Sequence, residues 1–145
     1  ERLQADLLDH PQIYWAGYVQ DAQKEMAEAA VLTSIISRQP LPAAEDLGVE
    51  SAPYLNGLAE AASELRRYIL DIVRRGNAEA MGEAERALDI MDAVYANLTT
   101  VDFSDAITGG LRRTTDALRA VLERTRGDLT IATRQVELEK ALRST

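Results

Sequence analysis

Four glutamates sit at spacings that bring carboxylates together in pairs. Glu25 and Glu28 are three residues apart, and Glu60 and Glu64 are four apart. In a helix each pair shares a face. Asp21, four before Glu25, joins the first stripe, which runs on into the apolar Leu32 and Ile35. The carboxylates thus stand in line with core-facing residues. Around the second pair lie Gly57, Ala59, Ala61, Ala62 and Ser63. Such small residues let another backbone come close, so acidic groups from two neighbouring helices can converge. Four converging carboxylates need a cation to offset their repulsion, and Mg²⁺ or Mn²⁺ takes oxygen ligands. Such a site activates water for attack on phosphorus and neutralises phosphate charge in the transition state. The same spacings also suit a solvated helix face, because Glu is common in helices. What separates the two readings is whether the pairs point at a common spot.

Basic and aromatic residues are the second source of chemistry. Of the 16 basic residues, 14 are Arg, whose rigid fork matches phosphate better than Lys does. Arg66 and Arg67 follow Glu64 directly, and Arg112 and Arg113 open a later basic segment. These four are candidates for holding phosphate. Arg74 and Arg75 suit a helix C-terminus, and surface ion pairs are the alternative for the others. Trp15, Tyr14, Tyr18, Tyr54, Tyr68, Tyr95 and Phe103 offer rings for base stacking or for packing. The chain has no Cys and one His, His10. That excludes thiolate sites and disulfides, multi-imidazole zinc sites, and the Glu-x-x-His pairs of ferritin-like di-iron sites. His10 reads as a capping or surface residue.

The net charge of −8 comes entirely from residues 1–65, which carry three basic and eleven acidic residues; the remainder balances at 13 of each. At 145 residues, 46% apolar and 28% charged, the chain is expected to form one core-bearing domain spanning 1–145. No apolar run approaches the roughly 20 residues of a membrane helix, so no membrane partner is expected and a cytoplasmic location is.

Gly and Pro are sparse enough to mark helices. Pro11, preceded by Asp9 and His10, opens a first long helix running to about Arg38, where Gln39-Pro40-Leu41-Pro42 stops it. Residues 39–50 read as an acidic loop. Ser51 with Pro53 starts a second helix ending near Gly76, and Asn77 caps a third to about Leu98. Asp102 or Ser104 caps a fourth to about Thr125, weakened at Gly109-Gly110, and Gly127-Asp128 breaks it from a last helix through Leu142. No segment alternates with period two, so the class is all-α, an antiparallel bundle of long helices.

The stretch Tyr54-Leu55-Asn56-Gly57-Leu58-Ala59-Glu60-Ala61-Ala62-Ser63-Glu64-Leu65-Arg66-Arg67 resembles the signature of the translin superfamily. That signature reads roughly Tyr-Leu-x-Gly-hydrophobic-Ala-Asp-Leu-Thr-Gly-Glu-Leu-Met/Arg-Arg. Glu25-Met26-Ala27-Glu28-Ala29 is similar to the Glu-x-x-Glu-Ala element of its translin-associated factor X branch. Val94-Tyr95-Ala96-Asn97-Leu98 and Arg126-Gly127-Asp128-Leu129 extend the likeness, which covers about Pro11 to Leu142.

The resemblance implies α-helical bundles that assemble, commonly as octamers, into a hollow shell around single-stranded RNA or DNA. It implies for the factor X branch a Mg²⁺-dependent endoribonuclease, whose four acids match Glu25, Glu28, Glu60 and Glu64. The third acid of the pattern is usually Asp; Glu60 is one methylene longer. Ala62-Ser63 stands where the pattern has Thr-Gly. Family members usually extend further at the N-terminus, so a preceding helix is expected. With all four acids present, a homo-oligomer in which every subunit is catalytic is expected. Two rival readings stay open: a non-catalytic single-strand-binding shell, and an all-α NTP pyrophosphohydrolase, although the second acidic pair is spaced by four where that family has three. A purely structural bundle is the remaining alternative.

Overall fold

The computed structural model describes residues 2–7 and 9–143, with residues 2–4 described by backbone alone. Eight helices follow one another among the described residues: α1 (Arg2–Leu7), α2 (Pro11–Tyr14), α3 (Tyr18–Ile36), α4 (Ala44–Leu47), α5 (Ser51–Val73), α6 (Ala78–Leu98), α7 (Asp105–Thr108) and α8 (Leu111–Arg143). No strand occurs among them, so the chain is all-α.

Backbone chemistry explains each boundary. The first long helix was expected from Pro11; it starts at Tyr18 instead, because Gly17 at φ 97 breaks the chain after the single turn of α2. Residues 39–50 are not wholly loop, since Ala44–Leu47 form a turn of helix whose start is held by Asp46 accepting from the Ala43 N–H at 2.9 Å. The Asn77 side chain caps α6 by accepting from the Ala80 N–H. Gly109 and Gly110, at φ 61 and 81, do more than weaken a helix: they end α7 and separate it from α8. Gly127-Asp128, expected to break the chain, lies inside the unbroken 33-residue α8. One Gly costs a helix only about 1 kcal/mol, and Asp128 gains a partner there in Arg66 at 2.8 Å.

The central helix is α5, which packs against α3, α6 and α8. Its inner face is Ala59, Ala61, Ala62, Leu65, Ile69 and Ile72, all buried, meeting Val31 and Ile35 of α3, Met91 and Leu98 of α6, and Leu118 and Leu122 of α8. Side-chain pairings set the directions. Glu50 and Glu60 meet Gln23 and Lys24 at the start of α3, whereas Tyr68 and the loop residue Arg38 share Glu83 further along. So α3 and α5 run in the same sense, and residues 37–50 carry the chain back between them. Asn56 meets Thr114 and Arg66 meets Thr125, so α8 runs the same way. The antiparallel helix is α6: Asp92 pairs with Arg126 and Glu85 with Thr133. The bundle is thus antiparallel at α5–α6 and α6–α8, with one long crossover. No helix among the described residues is long and apolar enough to cross a membrane.

Candidate metal centre

The crossing of α3 and α5 is built on Gly57. A Cβ placed there would lie 2.6 Å from the Lys24 carbonyl oxygen, 2.9 Å from the Ala27 Cβ and 3.0 Å from the Glu28 nitrogen. The two backbones therefore touch at the one position of α5 without a side chain. Ala59, Ala61 and Ala62 keep the rest of α5 slim, and Ala27 is fully buried opposite. This approach brings the acidic residues together.

Glu25, Glu28 and Glu60 each offer a carboxylate oxygen such that all three lie within 4.8 Å of one another. Glu25 is exposed and the other two are half-buried. Burial pushes the Glu28 carboxyl up from its ordinary value, and repulsion from Glu60, Glu25 and Glu64 adds to it; Lys24 only partly opposes this. Glu64, one turn beyond Glu60, acts on Glu28 through its charge and pairs with Arg67 at 3.8 Å. Asp21 does not join the triad; it lies exposed on the wall of a neighbouring cleft. Three oxygen donors converging with their repulsion only partly relieved form a donor set suited to Mg²⁺ or Mn²⁺.

One residue without a role in the sequence reading stands inside the cluster. The Lys24 ammonium donates to Glu60 Oε1 at 3.1 Å and lies 3.9 Å from Glu25 Oε1. Burial tends to lower its pKa, but the Glu60 hydrogen bond and the charges of Glu60, Glu25 and Asp21 outweigh this and raise it. The signal in the sequence is its position three after Asp21 and four before Glu28, which puts it on the same side of the helix as both.

The candidate arginines diverge. Arg66 turns away from the acids: it donates to Thr125 Oγ1 at 3.3 Å and to Asp128 at 2.8 Å, tying α5 to α8. Arg67 is exposed beside Glu64. Arg113 lines a cleft of about 400 Å³ with Trp15, Gln20, Lys24, Asn56, Glu60 and Thr114. This cleft opens next to the triad, sharing Glu60 with it and lined also by Lys24, the partner of Glu60. Arg112 lines a different cleft, with Phe103, Asp102 and Asp116. His10 precedes α2 without a side-chain cap bond.

No family model matches the chain. An uncharacterised protein of Methanocaldococcus jannaschii is 30% identical over 130 residues, covering 89% of this chain and 57% of that protein. The chain therefore spans a little over half the length of this curated relative. Two solved structures are similar. The structure of an AfC3PO–duplex RNA complex matches with a TM-score of 0.82 and 33% identity, over 92% of this chain and 68% of that one. The crystal structure of AfC3PO matches with a TM-score of 0.76 and 35% identity, over 88% and 65% respectively.

Proposed function

The chain belongs to the translin superfamily, and from that premise we propose that it is a metal-dependent endoribonuclease working within a homo-oligomeric shell. The observation that carries this reading is the convergence of Glu25, Glu28 and Glu60, whose carboxylate oxygens lie within 4.8 Å of one another. These three hold one or more Mg²⁺ or Mn²⁺ ions, with Glu64 as the fourth acid. When bound, the ion supplies Lewis acidity toward a phosphodiester and compensates the charge that builds up in the transition state.

The rest of the site serves the polymer. The cleft beside Glu60 presents Arg113 to a backbone phosphate. Trp15, 64% exposed on the same wall, offers a ring for a base to stack on. Arg67, exposed and paired with Glu64 at 3.8 Å, can exchange that partner for a second phosphate, whereas Arg112 lies in the separate cleft with Asp102 and Asp116. Arg66 is engaged with Asp128, so its part is to hold the scaffold. The polymer is RNA in the AfC3PO complex, which supports RNA ahead of DNA as the substrate here.

The test is cleavage of end-labelled single-stranded RNA, duplex RNA and single-stranded DNA, with Mg²⁺, with Mn²⁺ and with EDTA. RNA is cut only with the ion, and Glu28→Gln or Glu60→Gln lowers the rate by about 100-fold or more, equivalent to about 3 kcal/mol of transition-state stabilisation. RNA bound equally with and without the ion, and left intact, would reduce the protein to a non-catalytic binding shell.

A further inference from the structure

The charges in the centre do not all come from acids. Three carboxylates converge, and the Lys24 ammonium is placed against two of them, 3.1 Å from Glu60 and 3.9 Å from Glu25. Its side chain is 25% exposed and that of Glu60 35% exposed, so the pair is largely withdrawn from water. Among the described residues Glu28 makes no hydrogen bond or ion pair with a cation, and Lys24 offsets its charge repulsion by less than Glu60, Glu25 or Glu64 each adds. The backbone of Lys24 is fixed by the close crossing at Gly57, so this ammonium is tethered to the cluster by the same contact that assembles it. The chain has only one other lysine, Lys140, against 14 arginines. An ammonium is a compact point charge, closer in size to a metal ion than a planar guanidinium is.

We propose that Lys24 is a positioning residue, the resident cation of this centre: its ammonium takes the place a second divalent ion would fill, so that each chain binds one divalent ion and binds it against the Lys24–Glu60 pair. Glu25, Glu28 and Glu60 with one ammonium and one divalent ion sum to zero, and the fourth acid, Glu64, has its own counter-charge in Arg67 at 3.8 Å. Lys24 also lines the cleft that holds Arg113, so the same ammonium sits at the boundary between the carboxylates and the phosphate path. Its effect on an ion is exerted through Glu60 and Glu25.

This inference rests on the metal reading above, and its test separates the two. Mn²⁺ binding to the full chain is measured by electron paramagnetic resonance and calorimetry, with helix content checked by circular dichroism. The wild type takes one Mn²⁺ per chain. Lys24→Met and Lys24→Gln bind it about tenfold more tightly. Lys24→Arg, which keeps the charge, stays within about threefold of the wild type. In EDTA, Lys24→Gln melts below the wild type, and saturating Mn²⁺ closes the gap; a merely structural lysine would leave the gap open in both. Two Mn²⁺ ions per wild-type chain, or unchanged affinity in both neutral variants, overturn the role of Lys24 and leave the metal reading standing. No Mn²⁺ binding by the wild type overturns both.

Discussion

Two glutamates, Glu28 and Glu83, face opposite electrostatic settings and should respond oppositely to acid. Glu83 accepts from Arg86 at 2.5 and 3.0 Å, from Arg38 at 2.6 Å and from the Tyr68 hydroxyl at 3.0 Å. These donors, Arg86 foremost, hold its carboxyl down at about 2 from an ordinary 4.5. Its folded-state pKa is depressed, so the stability it contributes is present above about pH 4.5 and lost as pH falls toward 2. The side chain is only 13% exposed, and the shift corresponds to on the order of 2–3 kcal/mol. Urea melts of Glu83→Gln should show a loss of that order near neutral pH that shrinks steadily on acidification. Glu28 is the reverse case. Its carboxyl is pushed up from 4.5 by burial and by its acidic neighbours, so the folded state binds its proton more tightly than the unfolded one. Folding is favoured by this group at low pH, and that advantage is lost as pH rises from about 4.5 through its raised value. A divalent ion offsets the repulsion only when the cluster is ionised. Mn²⁺ should therefore raise the melting temperature near neutral pH and have little effect near pH 4.5; equal shifts at both would contradict the origin given for the raised value.

At the scale of elements, glycines of opposite meaning make the sharper test. Replacing a helical Gly by Ala ordinarily gains about 1 kcal/mol. Gly127, midway along α8, has open space where a Cβ would go, so Gly127→Ala should stabilise by up to about that amount. Gly57→Ala should do the opposite, because its methyl would sit 2.6 Å from the Lys24 carbonyl, a backbone atom that yields only if α3 moves. A loss of about 1–3 kcal/mol is expected, typical of overpacking. Mn²⁺ affinity should fall with it, since Glu60 rides on α5 and Glu25 and Glu28 on α3; thermal melts and a Mn²⁺ titration of the two variants check both parts. The contrast also shows what patterns reveal and what they hide. Small residues around Glu60 already announced a close helix contact, and Asn77 announced the cap it makes. Gly17 and Gly127 are chemically identical in the chain, yet one breaks a helix at φ 97 and the other sits unnoticed in one. Local preference near 1 kcal/mol is too small to separate them; the tertiary partner of Asp128, Arg66, lies far off in sequence and could not be read there.

At the scale of the whole molecule, the antiparallel course of α5, α6 and α8 was legible, but the parallel pairing of α3 with α5 was hidden, because it follows from contacts such as Gln23 with Glu50 and Lys24 with Glu60. Partner surfaces are hidden for the same reason. The end of α8 extends beyond Leu129, its last buried residue. Ile131, Leu138 and Leu142 are there 70%, 60% and 68% exposed. Their spacing of seven and then four residues puts them along one side of the helix. On the neighbouring side Ala132 and Val136 pack against the core, which holds the stripe steady toward solvent. In the proposed homo-oligomer, a line of large apolar side chains this open is where a second copy is expected to pack. Ile131→Asp with Leu138→Asp should therefore shift sedimentation velocity profiles toward smaller species. Helix content should hold, because neither side chain is buried. Mn²⁺ affinity should also hold, because the triad lies on α3 and α5. Unchanged sedimentation would assign the shell contacts elsewhere, whereas a parallel loss of Mn²⁺ affinity would mean that assembly shapes the carboxylate centre itself.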